Sequence, residues 1–338
     1  MQRLASIALV CAALVSAALS STAFSADKPK KEKTEEDKKQ GYTVIDPSKA
    51  GPDFAVQGEY TGDITGKGKL GAQVIALGDG SFTAVFETGG LPGDGWDGSP
   101  RITAEGKTEG DKTTLTGTYS ATIANGVLTG KTDKGDAFEL KRVERVSPDE
   151  GEKPPAGAIV LFDGTNVDAW DAMGKMDDRH LLQWGTRSKQ KFQSFTLHVE
   201  FLLPYKPFAR DQARGNSGIY IQDRYEIQIL DTFGHPEEFN GCASTYRQTS
   251  PKLNMCYPPL RWQTYDINFT APKWDADGKK TANAHVTVRH NGVVVQDNTE
   301  LPTKTGAGKP EGVEPGPIQL QEHHNPVFYR NIWIVENK

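Results

Sequence analysis

The chain has 338 residues, 36% of them hydrophobic and 25% charged, with a formal charge of −5 at pH 7. That length exceeds one ordinary domain and is ample for a large buried core, so two domains are expected. The acidic balance offers no attraction to nucleic acid or to an anionic membrane surface, and neither is expected as a partner.

Residues 1–26 read as an export signal, with Arg3 ahead of an apolar run from Ile7 to Leu19 and small residues around Ala23 and Ala26. The run is too short to span a bilayer, which takes roughly 20 apolar residues. The product is therefore expected in the periplasm or outside the cell. Residues 27–41, which open "DKPKKEKTEEDKKQ", carry almost no apolar surface to offset their ordering entropy, and a disordered charged linker is expected there.

From 42 to 146 short β patterns broken by glycine predict a small all-β domain of unknown role. "AQVIALGDGSFTAVFETGG" reads as two strands joined at Gly78–Gly80, and further short strands fall at 115–119 and 126–130. Trp96, among glycines and aspartates, reads either as the anchor of a rigid turn or as a platform for a sugar ring. "SPDEGEKPPAG" (147–157) is a proline- and acid-rich linker.

A second β pattern fills 158–338, with strands predicted at 195–203, 262–270, 285–290, 293–296, 318–323 and 327–335, and a tight turn at Asn291-Gly292. Many strands and almost no helix argue for a sandwich or jelly roll. Within it, "GNSGIYIQDRYEIQILDTFG" (215–234) alternates strictly. Ile219, Ile221, Ile227 and Ile229 share one parity, and Tyr220, Gln222, Glu226 and Gln228 share the other. A loop at Asp223, Arg224 and Tyr225 would pair Gln222 with Glu226 and keep both strands in phase. "PIQLQEHHNP" repeats the pattern, with Gln319, Gln321 and His323 opposite Ile318 and Leu320. The polar layer is either a solvated outer face or a binding surface. Amides that both donate and accept hydrogen bonds suit sugar hydroxyls.

Cys242 and Cys256, 14 apart, read either as a disulfide closing a surface loop or as two buried thiols. His323 and His324 diverge on a strand and so do not chelate together, and "DADG" (275–278) lacks the later ligands of a calcium loop. No cofactor or metal is expected, although a divalent ion is left open.

"GNSGIYIQDRYEIQILDTFG", "WQTYDINFTAPKWDADGKK", "VTVRHNGVVVQDNTELP" and "PIQLQEHHNPVFYRNIWI" together resemble the 3-keto-disaccharide hydrolase family, also described as 3-keto-glucoside lyase/hydratase domains. The resemblance covers 158–338. It implies an all-β, concanavalin A-like jelly-roll sandwich after the small all-β domain, and a secreted enzyme cleaving oxidised glycosides. "DDRHLLQWGTRSKQ" (177–190) departs from the family's usual Trp and Asp-Gly turn, which bears on the sheet edge.

Glu226 matches the first acid of the laminarinase-type acidic strand, Gln228 replaces the middle one, and Asp231 stands where a second acid would be. Glu226 and His323 are the candidate catalytic pair. Gln228, Gln319, Gln321, Asn216, Arg224, Tyr246 and Trp262 are candidate substrate contacts, and a small carbohydrate is the expected partner. The alternatives are a carbohydrate-binding module without catalysis and a scaffold whose amino-terminal domain does the work.

Overall fold

The computed structural model describes residues 34–337; the expected export signal lies outside them. Eight strands, β1 (Gly58–Ile64), β2 (Gly68–Gly78), β3 (Ser81–Thr88), β4 (Ile102–Glu109), β5 (Lys112–Gly117), β6 (Ser120–Ala124), β7 (Val127–Lys131) and β8 (Ala137–Val143), pair antiparallel in sequence order and close into a barrel. Its interior is filled by side chains, among them Tyr60, Leu70, Val74, Phe82, Phe86, Leu128, Phe138 and Leu140. Along β2 the even positions fill the barrel, while Ile75 joins the core of the second unit. One strand thus serves two cores, which is why it is buried at both parities.

The second unit is a sandwich, and the chain is all-β. Its strands are β9 (Ile159–Phe162), β10 (Leu182–Gln183), β11 (Thr186–Arg187), β12 (Phe195–Leu202), β13 (Ser217–Ile221), β14 (Tyr225–Ile229), β15 (Trp262–Thr270), β16 (Lys273–Trp274), β17 (Lys280–Ala282), β18 (Ala284–His290), β19 (Val293–Leu301), β20 (Ile318–Leu320) and β21 (Phe328–Glu336). Seven of them form one sheet, in the order β10-β21-β12-β15-β18-β19 with β9 also on β21; β11-β20-β13-β14 form the facing sheet, and β16-β17 a small ribbon. Leu197, Val199 and Phe201 of the larger sheet meet Ile219, Ile221, Ile227 and Ile229 of the smaller in a single core. Each buried isoleucine contributes roughly 1.5–3 kcal/mol. Slipping β14 by one residue would put Glu226 in that core, so the isoleucine row fixes the register.

Asn291 and Gly292 both take positive φ between β18 and β19, the tight hairpin that the dipeptide predicts. The β13–β14 hairpin differs from expectation in register. Gln222 and Asp223 both have φ near 58°, and Tyr220 rather than Gln222 lies opposite Glu226. Gln222 tolerates this backbone because its amide donates to the carbonyls of Phe192 and Gln193. The displacement is an even number of residues, so every side chain keeps its face.

Two further expectations are corrected, and one open alternative is decided. Glu35–Gln40, placed in the disordered linker, form a short helix: Thr34 and Asp37 make a capping box, and Lys39 pairs with Asp79 at 2.6 Å. The connecting segment 147–157 is no free linker, because it is bound along the outer face of the seven-stranded sheet. Ser147 Oγ lies 2.7 Å from Thr264 Oγ1, the Gly151 amide donates to Glu200, and Glu150 pairs with Arg330. Cys242 and Cys256 form no disulfide: both are free thiols deep in the core, Cys242 Sγ being 3.1 Å from the Tyr265 hydroxyl. Among the described residues no helix is long and apolar enough to cross a membrane.

A thiol reagent applied to the folded chain from residue 27 onward, without reductant, is therefore expected to label neither cysteine. It should label both after denaturation, whereas a native disulfide would leave none to label.

Candidate active site

The polar row of β13–β14 is not an open surface. Residues 243–246 lie along β14 as an added strand segment. Ala243 N donates to Gln228 O, Gln228 N to Ser244 O, and Tyr246 N to Glu226 O, at 2.9–3.0 Å. The 303–308 loop closes from above, with Thr305 N bonded to Arg224 O and Glu226 N donating to Thr305 Oγ1 at 2.6 Å. What remains is a hollow of about 160 Å³ lined by Gln212, Asn216, Tyr220, Glu226, Gln228, Tyr246, Ala307, Gln321 and His323.

Glu226 forms its floor and is 2% exposed. Tyr220, directly opposite in the ladder, donates its hydroxyl to Glu226 Oε2 at 2.7 Å. Burial pushes the Glu226 carboxyl up to about 7, with the Tyr220 hydrogen bond acting against it. Near neutral pH the group is therefore poised to take up or give a proton. The carboxyl has room because residue 218 is glycine: a Cβ there would stand 2.4 Å from Glu226 Oε1. A glycine inside a strand marks such a close approach, a signal that the alternation of "GNSGIYIQ" alone does not give.

The walls are amides. Asn216 Nδ2 donates to the main-chain and side-chain oxygens of Gln212 (2.9 and 3.1 Å), and Gln228 Nε2 to Gln212 Oε1 at 3.2 Å. Asn216 Oδ1 and Gln321 Oε1 are buried acceptors with no protein partner. In a polar hollow such oxygens await donors, and hydroxyl groups supply them.

The structure gathers Glu226, His323, Gln228, Gln321, Asn216 and Tyr246 around this hollow. His323 gets there by a different route from the one expected. Strand β20 ends at Leu320, so His323 stands exposed in the turn that follows, held by a hydrogen bond from Asn325 Nδ2 to its carbonyl (2.8 Å).

Four candidates lie elsewhere. Asp231 cannot serve as a second acid, because it points away from the hollow into a buried pair with Arg214 (2.7 Å). Arg224 is spent on the loop above, donating to Pro310 O, Glu314 O and Gln222 Oε1. Trp262 packs beside Leu202 and Phe328 under the Arg330 guanidinium, 3.9 Å from its ring centre. Gln319 stands opposite Tyr220 in the ladder but outside the lining of the hollow. Gln212, in the 3-10 turn Asp211–Ala213, and Ala307, in a loop, were missed because neither segment carries a pattern in its composition.

Among the described residues one other group could bear on metal binding, Glu152, His198 and Asp266. Burial alone would lower the His198 imidazole, but hydrogen bonds to Asp266 (2.7 Å) and Glu200 carry it up to about 9. Nδ1 is bonded to Asp266 while Nε2 lies 3.6 Å from Glu200 Oε1 and 3.3 Å from Asn331 Nδ2, so an imidazolium stands between the two carboxylates where a cation would be held.

Residues 157–335 match the 3-keto-alpha-glucoside-1,2-lyase-like domain family. This is more than half of the chain, and the protein belongs to that family. It is similar, at 37% identity and a TM-score of 0.50, to a protein of Parabacteroides distasonis ATCC 8503 described as a "putative glycosyl hydrolase"; the alignment covers 54% of this chain and 85% of that one. A second protein so described from the same organism is 17% identical with a TM-score of 0.40, covering 54% and 94%. No curated protein matches the chain.

Because burial raises the Glu226 carboxyl, the stability of the fold depends on pH. The stabilisation from its bound proton is complete below the unfolded-state value near 4.5 and is lost as pH rises through about 7. Glu226→Gln is therefore expected to be more stable than wild type at pH 8, by up to about 3 kcal/mol, and to gain nothing at pH 4. Denaturant unfolding of both proteins across that range measures it.

Proposed function

We propose that the protein is a glycosidase-type enzyme acting on 3-keto-glucosides, and that it opens the glycosidic bond by elimination followed by hydration. One observation supports this reading: among the described residues the hollow is lined by a single carboxyl, Glu226, buried and poised near neutrality, among amides and hydroxyls. A retaining or inverting hydrolase of the usual kind places two carboxyl groups across the bond, roughly 5–9.5 Å apart. Asp231, the nearest acid in the motif, is committed to Arg214.

A ketone at C3 changes what is required. It acidifies the C2 hydrogen, so that one base can remove it while the electron pair moves into the C2–C3 bond and the C3 oxygen becomes an enolate. Collapse of the enolate expels the oxygen at C1, and the aglycone leaves as an alcohol once it gains a proton. Water then adds across C1=C2, restoring the C2 hydrogen and leaving a hydroxyl at C1. Glu226 serves as the base and returns the proton in the hydration step. His323, exposed at the rim, protonates the departing oxygen. Gln321, Asn216 and Gln228 orient the ring, and their orphan acceptors Asn216 Oδ1 and Gln321 Oε1 take its hydroxyls. The hollow is smaller than the 300 Å³ or more of a typical ligand pocket, so one ring sits inside and the aglycone at the mouth. The route asks for no metal ion. Export through residues 1–26 belongs to the same reading.

The test is product analysis with a panel of 3-keto-disaccharides against their unoxidised counterparts, with and without chelator. Release of 3-keto-glucose only from the oxidised substrates, unaffected by chelation, is expected. Saturable binding without product would favour a carbohydrate-binding module instead. Glu226→Gln should lower kcat by about 10²–10⁴-fold, the usual worth of a general base.

As a base Glu226 must be ionised, so kcat/KM should rise with pH through about 7. Because the Tyr220 hydrogen bond holds the carboxyl down, Tyr220→Phe should move that limb to higher pH. A limb that stays in place removes Glu226 from the role.

A further inference from the structure

The amino-terminal barrel reaches the candidate site through one end of β2. The segment between β12 and β13 carries Gln212 and Asn216, which form one wall of the hollow. Three successive positions of β2 hold that segment. The Phe208 ring fills the space over Gly78, where a Cβ would come within 2.2 Å of it. Arg210 Nη2 donates to Leu77 O at 3.0 Å and Arg214 Nη1 to Ala76 O at 3.2 Å. The β2–β3 ladder shifts register between Ala76 and Gly78, and a bulge of this kind turns a main-chain carbonyl out of the ladder.

Arg214 is the centre of the arrangement. It is 3% exposed, its Nε is bonded to Asp231, and its Nη2 reaches Gln57 Oε1. The same segment braces the opposite side of the hollow. Lys206 Nζ donates to Asn325 Oδ1 at 2.6 Å, and Asn325 holds the His323 carbonyl.

We infer that the barrel is part of the active site's framework: the end of β2, acting through Arg214, positions the Gln212–Asn216 wall for the substrate ring. Arg214 is a positioning residue, since it borders neither the hollow nor Glu226. The sandwich on its own would keep the bonds of Asp231 and Gln228 to this segment but lose those from β2. The kinetic arm of the following test rests on the function proposed above, whereas the exchange arm does not.

The experiment uses the full chain with Arg214→Met combined with Asp231→Leu, which removes the buried pair without leaving a lone charge. The control is Arg101→Met, which breaks a separate barrel–sandwich clamp, Arg101 with Glu237 and Glu87. Glu87 tolerates this loss because burial already raises its carboxyl to about 7. Hydrogen exchange by mass spectrometry over residues 208–217 is expected to quicken about tenfold or more in the double variant and to stay unchanged in the control.

With a 3-keto-disaccharide, KM should rise about tenfold while kcat stays within about threefold, because the wall binds the ring alike in ground and transition state. Equal exchange in double variant and wild type, or the same quickening in the control, overturns the inference. A wild type without turnover counts against the proposed function, and the exchange result then decides the positioning role alone.

Discussion

The structure depends on a substitution of surroundings at one carboxyl group. A glutamate on a strand's polar face is ordinarily wet, and its proton is gone well below neutral pH. Here the face of β13–β14 is roofed by residues 243–246 and 303–308, and a single tyrosine hydroxyl stands where solvent would be. Burial outweighs that hydrogen bond, and the acid comes to rest near neutrality. The amide walls, the glycine beneath and the rim histidine have functional meaning only around such a group.

Much of this was legible in the alternation of apolar and polar residues. The isoleucines at 219, 221, 227 and 229 announce which way Glu226 and Gln228 face, and the structure keeps that division. The hairpin register was not legible, because it turns on Gln222 adopting a left-handed backbone that glutamine rarely takes. The tertiary bonds that hold it come from residues 192 and 193. The roof was hidden for a related reason. Its pieces are loops 15 to 80 residues away in sequence, and loops carry no periodicity from which a position could be read.

Asp231 shows the opposite failure, a motif that promises more than it delivers. By spacing it completes an acidic strand, but by parity it leaves the polar face, and a buried arginine claims it. A carboxylate so deeply enclosed needs a cation more than a substrate. The same economy appears at His198, whose imidazolium settles Asp266 and Glu200 beneath the connecting segment. Charges that look reactive in a sequence are here often one half of a joint between structural layers.

The missing side chain at Gly218 leads further. Strands β13 and β14 share one small volume, and the carboxyl of residue 226 occupies what any larger residue at 218 would need. The two positions therefore cannot drift independently. A lineage that shortened the acid to aspartate would release its neighbour to become alanine, and one that gained the alanine first would lose the acid's seat. Relatives should carry the two residues as a matched pair, inherited or exchanged together.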